Sequence, residues 1–361
     1  MDELSPSDSG FWNRFLASDS ADTLDFASAS AHAGQSVLVT GAGGYIASAL
    51  VKAIAAAGPS RIVLLESSEH NLFEIHQILQ SAFGQVACQP VLGSVNDVPL
   101  LDGVFTRFEP QIIYHAAAFK HVPLLERNPI AAVRNNAIGT YTLAQAAARH
   151  RTPRLILIST DKAVNPHSVM GVSKRLAELA VVALSNPVSR MNAIRLANVI
   201  GSPGSVVPIF LRQIAGHKPV TVTHPEAARW FMSLNQTVNA ILACAMTDLE
   251  GRILAPEFGD PTRIADLAAF LIDAAAAEVP LVFTGCRPGD KLTEELSSAA
   301  EIKEGTLPGR LQIFRTCRLP RDQVEDIMQR LCGCISSQDV PGLIRTLGSM
   351  VPEYVPSELL A

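Results

Sequence analysis

Four consecutive residues, Ser159-Thr160-Asp161-Lys162, set hydroxyls, a carboxyl and an amine at the end of one apolar run, and Met170 and Lys174 follow in the next helical stretch. A carboxyl beside an amine offers an acid and a base for moving protons. The amine serves as a base only if its pKa falls well below about 10.4, through desolvation and nearby cations. A bare Asp-Lys pair at a strand end is more often a simple salt bridge, so the surroundings must decide. Met170 and Lys174 lie four apart and project from one helix face. Met170 cannot ionise, which leaves Lys174 as the charged member of that face.

A second chemical signal is Gly41-Ala42-Gly43-Gly44-Tyr45-Ile46-Ala47, which follows the apolar run Ser36-Val37-Leu38-Val39-Thr40 and opens a helical stretch. Glycines in such a turn let the backbone approach a pyrophosphate, whose charge is met by the helix's free N–H groups. Thr40, Gly41, Gly43, Gly44, Tyr45 and Ile46 are therefore candidate dinucleotide contacts, and Ala47 is small enough for close helix–sheet packing. Glu66 ends the next apolar run, 22 residues after Gly44. A carboxylate there can accept both ribose hydroxyls and repels the extra phosphate of NADP. Ser67 follows it, not an arginine, so the expected cofactor is NAD; the alternative is that Glu66 merely caps the next helix. In His115-Ala116-Ala117-Ala118-Phe119-Lys120-His121, Ala116, Ala117 and Ala118 leave room for a flat adenosine or nicotinamide-ribose moiety. Lys120 and His121 would face the same cleft.

The elements that must position these groups are short apolar runs alternating with helical stretches. Strands are expected at 36–40, 61–66, 86–92, 112–117, 154–160 and 192–197. Their alternation with helices predicts an α/β fold with a doubly wound parallel sheet, and ligands at the sheet's carboxyl edge. Residues 35–201 form the dinucleotide domain in this reading. Residues 202–330 form a smaller, discontinuous C-terminal substrate-binding lobe, from which about 228–248 return to the first domain. Residues 1–34 read as an arm anchored by Phe11, Trp12 and Phe15. The stretch from Asp322 to Leu347 reads as helical, and residues 331–361 as a C-terminal helical tail.

Composition narrows the class. Among 361 residues, 48% are apolar and 17% charged, as in a well-buried globular enzyme. The net charge of −5 argues against a nucleic-acid partner. The start lacks a signal peptide's basic end and apolar stretch, and no apolar run approaches the roughly 20 residues of a membrane span. The six cysteines are scattered without a CxxC pair, which reads as reduced thiols, no metal site and a cytoplasmic location.

The spacing of Met170 and Lys174 is that of the Tyr-x-x-x-Lys pair of short-chain dehydrogenases, with Met in the tyrosine's place. Ser159-Thr160-Asp161-Lys162-Ala163-Val164-Asn165-Pro166, Met170-Gly171 and Lys174-Arg175 resemble the UDP-N-acetylglucosamine 4,6-dehydratases, in the polysaccharide-biosynthesis branch of extended short-chain dehydrogenases/reductases. So do His115 to Pro123, Asn135-Asn136 with Gly139-Thr140, Arg195 to Ser202, Gly204 to Pro208, Arg229 to Met232 and Arg287 to Leu292. The likeness covers about residues 35–300 and the tail Val351-Pro352-Glu353-Tyr354-Val355-Pro356.

The resemblance implies a Rossmann fold and oxidation at sugar C4. Loss of water across C5–C6 and reduction at C6 follow, leaving the cofactor unchanged at the end. Lys162 would be the C5 base, Asp161 the acid for the C6 hydroxyl, and Lys174 the holder of the nicotinamide ribose. With Met170 unable to act, Thr160, Asp161 or a water must take the C4-hydroxyl proton. Ser94, Val95, Ser159 and Asn198 join the expected cofactor contacts. Lys120, His121, Arg195, Asn198, Ser205, Val206, Pro208, Arg229 and Arg287 are the expected contacts of a UDP-sugar, since guanidinium groups match diphosphate geometry. A homo-oligomer is also implied. Departures are Tyr45-Ile46-Ala47 where the family usually reads Ser-Ile-Gly, Ser94 where an Asp often stands, and Asp290 for a Glu. The membrane-embedded N-terminal half of many members is expected to be missing. Competing readings are a UDP-sugar 4- or 5-epimerase and a catalytically silent dinucleotide-binding scaffold.

Overall fold

The computed structural model describes Trp12, Leu24 and residues 30–360. Its centre is a nine-stranded sheet. The first strands are β1 (Ser36–Thr40), β2 (Arg61–Glu66), β3 (Cys88–Leu92), β4 (Ile112–His115), β5 (Arg154–Thr160) and β6 (Arg190–Leu196). They pair in parallel in the spatial order β3-β2-β1-β4-β5-β6. The reversal at β1 and β4 creates the crevice where open α/β sheets hold ligands. β1 is buried at every residue and β2 at all but its first, which is why both read as unbroken apolar runs instead of alternating ones. β4 stops at His115, so the three alanines after it lie beyond the strand and border the crevice.

The helices between these strands are α1 (Tyr45–Ala56), α2 (Glu69–Ala82) and α3 (Val98–Phe108). After β4 come the short α4 (Val122–Glu126) and α5 (Pro129–Val133). α5 runs through a π-helical turn, Arg134–Ile138, into α6 (Gly139–Arg149). α7 (Val169–Leu184) is buried at every position, as expected of a helix covered on all sides. Its outer face meets α11 (Arg321–Ser336) and α12 (Val340–Met350), whose Ile327, Leu331 and Leu343 share one core with Met170, Val172 and Leu176. The helical tail is thus two helices. The break falls at Gln338, at φ 56°, and Asp339 accepts from Gly342 N at 2.8 Å to start the second.

The lobe begins with the short β7 (Asn198–Val199) and α8 (Val206–Ala215), followed by β8 (Val220–Val222), β9 (Ala228–Arg229) and β10 (Phe231–Met232). α9 (Leu234–Ala245) packs back on the sheet through Val238, Ile241 and Leu242. The lobe is more interrupted than the sequence reading of 202–330 allowed. β11 (Ile253–Pro256) pairs in parallel with β6, and β14 (Ile302–Leu307) with β15 (Leu311–Arg315) extends the main sheet as an antiparallel hairpin. Asn192 on β6 holds β11 in place, donating to Leu249 O and accepting from Arg252 N, 2.8 and 2.9 Å. β12 (Thr262–Arg263), α10 (Ile264–Ala274) and β13 (Leu281–Phe283) complete the lobe. Trp12 is buried in its core beside Phe210 and Leu267; Phe11 and Phe15 lie outside the described residues. Among the described residues no helix is long and apolar enough to cross a membrane.

Candidate active site

The carboxyl ends of β1, β4 and β5 converge at the crevice. Gly41, at φ +63°, turns the chain sharply after β1, and a Cβ there would stand 2.8 Å from the Ala117 backbone. Only glycine lets the first loop pass so close to the loop after β4. Thr40 and His115 lie directly beneath: Thr40 Oγ1 and His115 Nδ1 are 2.7 Å apart, and His115 Nε2 is 2.8 Å from Thr140 Oγ1. Burial, with Lys174 nearby, pushes His115 down to about 3, so its imidazole is neutral and serves as a brace.

Glu66 is buried at the end of β2. Its Oε2 accepts from Gly43 N at 3.1 Å, and its Oε1 from Ser67 N and Ser68 N at 2.8 and 3.0 Å. Ser67 Oγ also donates to Oε1 at 3.5 Å, so the carboxylate ties the glycine turn to the entry of α2 and retains acceptor capacity on Oε2. Tyr45 donates to Ile200 O at 3.0 Å, joining that turn to the start of the lobe. Ser94 Oγ accepts from Asn96 N at 3.2 Å, while the Val95 side chain is core and packs under Gly139. The π-turn aims Asn136 at the loop after β4, where it accepts from Phe119 N and donates to Phe119 O, 2.8 and 2.9 Å. Such turns re-aim side chains at functional sites. Lys120 Nζ reaches across to Ser202 Oγ at 2.6 Å, and His121 sits against Gly204.

At the end of β5 the chain enters a 3-10 turn, Asp161–Ala163, that brings two charged side chains together. Lys162 Nζ donates to Asp161 Oδ1 at 3.0 Å and to Asn198 Oδ1 at 3.3 Å, and Thr160 Oγ1 donates to the same Asp161 oxygen at 2.9 Å. Asp161 is fully buried, and its other oxygen, Oδ2, has no hydrogen-bond partner. Burial lowers the Lys162 pKa, but Asp161 and Glu294 outweigh it, so the net shift is upward and the amine is a held cation. Gly171 on α7 allows this turn to nest, since a Cβ there would stand 2.3 Å from Lys162 O. Beneath it, Lys174 Nζ donates to Ile158 O at 2.7 Å, and burial, opposed by Glu178, pushes its ammonium down to about 8. Met170 is buried in the core shared with the tail helices.

Several residues expected at ligands are engaged elsewhere. Arg195 is fully buried, and all five of its N–H donors are taken, by Glu178, Glu301 and Leu296 O at 2.7–2.9 Å. It cannot also hold a diphosphate; its charge is spent inside the protein. The Ser159 hydroxyl belongs to the same network, donating to Glu178 Oε1 at 2.6 Å. Arg287 is exposed, and its guanidinium is bidentate to Asp290. Arg229 donates to Ala228 O, Leu292 O and Lys291 O, clamping the segment that follows Arg287. Ser205 precedes α8 with its Oγ buried and unpartnered, next to the half-buried Val206 and Pro208.

Two residues of the cluster escaped the sequence reading. Glu294 lies 3.5 Å from Lys162 Nζ and 3.6 Å from Arg229 Nε, and Lys291 Nζ donates to Val164 O at 2.7 Å. Their signal was an acidic pair, Glu294-Glu295, directly after a cation-rich motif.

Comparison with known proteins agrees with this architecture. The family described as "Polysaccharide biosynthesis protein" matches residues 37–315. The probable polysaccharide biosynthesis protein EpsC of Bacillus subtilis is 42% identical over 74% of this chain and 46% of its own length. The capsular polysaccharide biosynthesis protein CapD of Staphylococcus aureus is 40% identical over the same shares. The chain thus spans about half the length of these curated relatives. Among solved structures, DesIV of Streptomyces venezuelae, a dTDP-glucose 4,6-dehydratase with NAD and TYD bound, superposes with a TM-score of 0.64 at 21% identity, covering 72% of this chain and 88% of that one. The last likeness speaks for the fold. With a family match over most of its length and a sheet ordered 3-2-1-4-5-6 about a glycine turn, the chain belongs to the polysaccharide biosynthesis protein family, built on the extended short-chain dehydrogenase/reductase fold.

Proposed function

We propose that this protein is an NAD-dependent nucleotide-sugar 4,6-dehydratase that converts UDP-N-acetylglucosamine to a 4-keto-6-deoxy product. The observation that carries the reading is the buried Asp161–Lys162 contact at the carboxyl edge of β5, with one Asp161 oxygen unpartnered. The glycine turn, Thr40 and Ala116 to Ala118 form the cradle suited to a dinucleotide, and the remaining acceptor capacity of Glu66 suits a ribose diol. When bound, NAD supplies a reversible hydride acceptor. Lys174, beneath the crevice floor, supplies a positive charge to the nicotinamide ribose.

Elimination needs a neutral amine at C5 and a protonated carboxyl at the C6 hydroxyl. The ion pair holds the proton on Lys162; moving that one proton to Asp161 yields both required forms at once. The unpartnered Oδ2 is the oxygen suited to carry it toward the leaving hydroxide. Asp161 takes the Lys162 proton in this scheme, so the C4-hydroxyl proton leaves to water, while Thr160 donates to Asp161 Oδ1 and orients the carboxylate. Lys120, His121, Ser205 and Arg229 border the region assigned to the UDP-sugar.

Incubating the purified protein with UDP-N-acetylglucosamine and following the sugar by NMR tests the reading. A new C6 methyl signal with a C4 ketone is expected. A product that keeps its C6 hydroxyl would replace the dehydratase with an epimerase, and no conversion would leave a dinucleotide-binding scaffold.

A further inference from the structure

The lobe brings a second carboxylate to the catalytic amine. Glu294 follows the Arg287–Leu292 motif, and its side chain is only 3% exposed. It stands among three cations: Lys162 Nζ at 3.5 Å, Arg229 Nε at 3.6 Å and Lys291 Nζ at 4.0 Å. Lys162 therefore has two buried carboxylates near its ammonium, Asp161 from the main sheet and Glu294 from the lobe. Each keeps one oxygen without a hydrogen-bond partner, Asp161 Oδ2 and Glu294 Oε2. The segment that carries Glu294 is not free to drift. Arg229 holds the carbonyls of Lys291 and Leu292 at 2.8 Å each, and Lys291 Nζ grips Val164 O, two residues beyond Lys162.

We propose that Glu294 is a positioning residue for Lys162: its carboxylate holds the ammonium beside Asp161 in the resting ion pair and again once the amine has taken up the C5 proton. The inference rests on reading Asp161 and Lys162 as the acid–base pair. Its physical logic is simple. A lysine ammonium on a flexible stem that is tied to one carboxylate alone can pivot about that contact and away from C5. A second anion, contributed by the lobe, fixes Lys162 at two points whenever it carries its proton. It also raises the affinity of the amine for its proton, so removal of the charge has a signed consequence.

Glu294→Gln preserves shape and removes the charge. With 13C-labelled lysine and the Lys162 signal assigned through Lys162→Arg, NMR titration of the whole protein reads the Lys162 midpoint directly, without substrate. It is expected to fall by about one unit in Glu294→Gln, since an opposite charge at this distance commonly shifts a pKa by about 1–3 units. In parallel, exchange of the sugar C5 proton with solvent is expected to slow by about tenfold or more at its own optimum, with the acid limb moved to lower pH. Glu294→Asp should restore the titration midpoint most of the way. An unmoved Lys162 midpoint, with unfolding and NAD binding unchanged, would overturn the proposal. So would a shifted midpoint with C5 exchange unslowed at its optimum, since the amine would then be held well enough without the second anion. Failure of the wild type to convert any UDP-sugar would overturn the catalytic reading instead, and the titration would still report whether Glu294 holds the amine.

Discussion

Two ion clusters lie side by side in this molecule, built from the same kinds of residue on adjoining strands. Around Arg195, each guanidinium N–H has an acceptor, and both oxygens of Glu178 and of Glu301 accept two donors each. Around Lys162, two buried carboxylate oxygens have no hydrogen-bond partner, and the lysine side chain remains 22% exposed. A saturated network has nothing left to offer a ligand; it locks β5, β6, α7 and the 296–301 segment together. An unsaturated one carries a desolvation cost that a substrate's hydroxyls can relieve. Residue type does not separate the two, and neither does burial alone. What separates them is whether hydrogen-bonding capacity is already spent.

The sharpest way to break this comparison is to remove one cation from each cluster. Lys162→Ala should reduce C5 proton exchange by about 10³-fold, within the range of about 10²–10⁴ typical of a positioned acid or base. NAD binding should change little, while the unfolding midpoint should fall, because Asp161 and Glu294 are buried and lose a counter-ion. NMR in deuterated solvent measures the exchange. Undiminished exchange would remove Lys162 from its role and make the open cluster as structural as the closed one.

The next largest effect belongs to the closed cluster. Arg195→Ala leaves Glu178 and Glu301 buried without their main counter-ion and should cost about 3–5 kcal/mol of stability, the usual result of breaking a buried pair from one side. Denaturant unfolding reads it directly. A variant that kept full stability but lost UDP-sugar affinity would return Arg195 to the diphosphate, where the sequence reading had put it.

That misplacement shows what a sequence can and cannot reveal. Thr160, Asp161 and Lys162 are contiguous, so one turn at the strand end suffices to bring their side chains into contact, and the glycine turn reports its own backbone geometry. Strand β5 was legible at both ends, 154 to 160, because Leu155 to Ile158 form an unbroken apolar run. Arg195 was not, since its partner Glu301 lies 106 residues away and arrives with a segment that had no apolar signature. β14 reads Ile-Lys-Glu-Gly-Thr-Leu and is mostly exposed, so nothing local marks it as part of the main sheet. Its place follows from β15, which pairs with β11, which in turn pairs with β6. The π-turn that aims Asn136, and the approach of Glu294 to Lys162, are likewise products of tertiary packing and not of local pattern.

The smallest expected effect concerns Lys174, which sits between the two clusters and is four residues before Glu178. Its ammonium is pushed down to about 8 in the folded protein by burial, with Glu178 pulling the other way, while an unfolded chain keeps a lysine protonated to about 10.4. Between these values the unfolded state binds more protons than the folded one, so stability should rise with pH across that window. NAD affinity should move the opposite way. If the charge on Lys174 supports the nicotinamide ribose, binding should weaken by about tenfold between roughly pH 7 and pH 10, a change of about one pKa unit's worth of interaction. Fluorescence titration at each pH, set beside urea unfolding, measures both trends, and Lys174→Met should flatten both. An affinity that stays level in the wild type while stability climbs would place Lys174 with the closed cluster, as a buried support for Ile158 and Glu178 that the cofactor never senses.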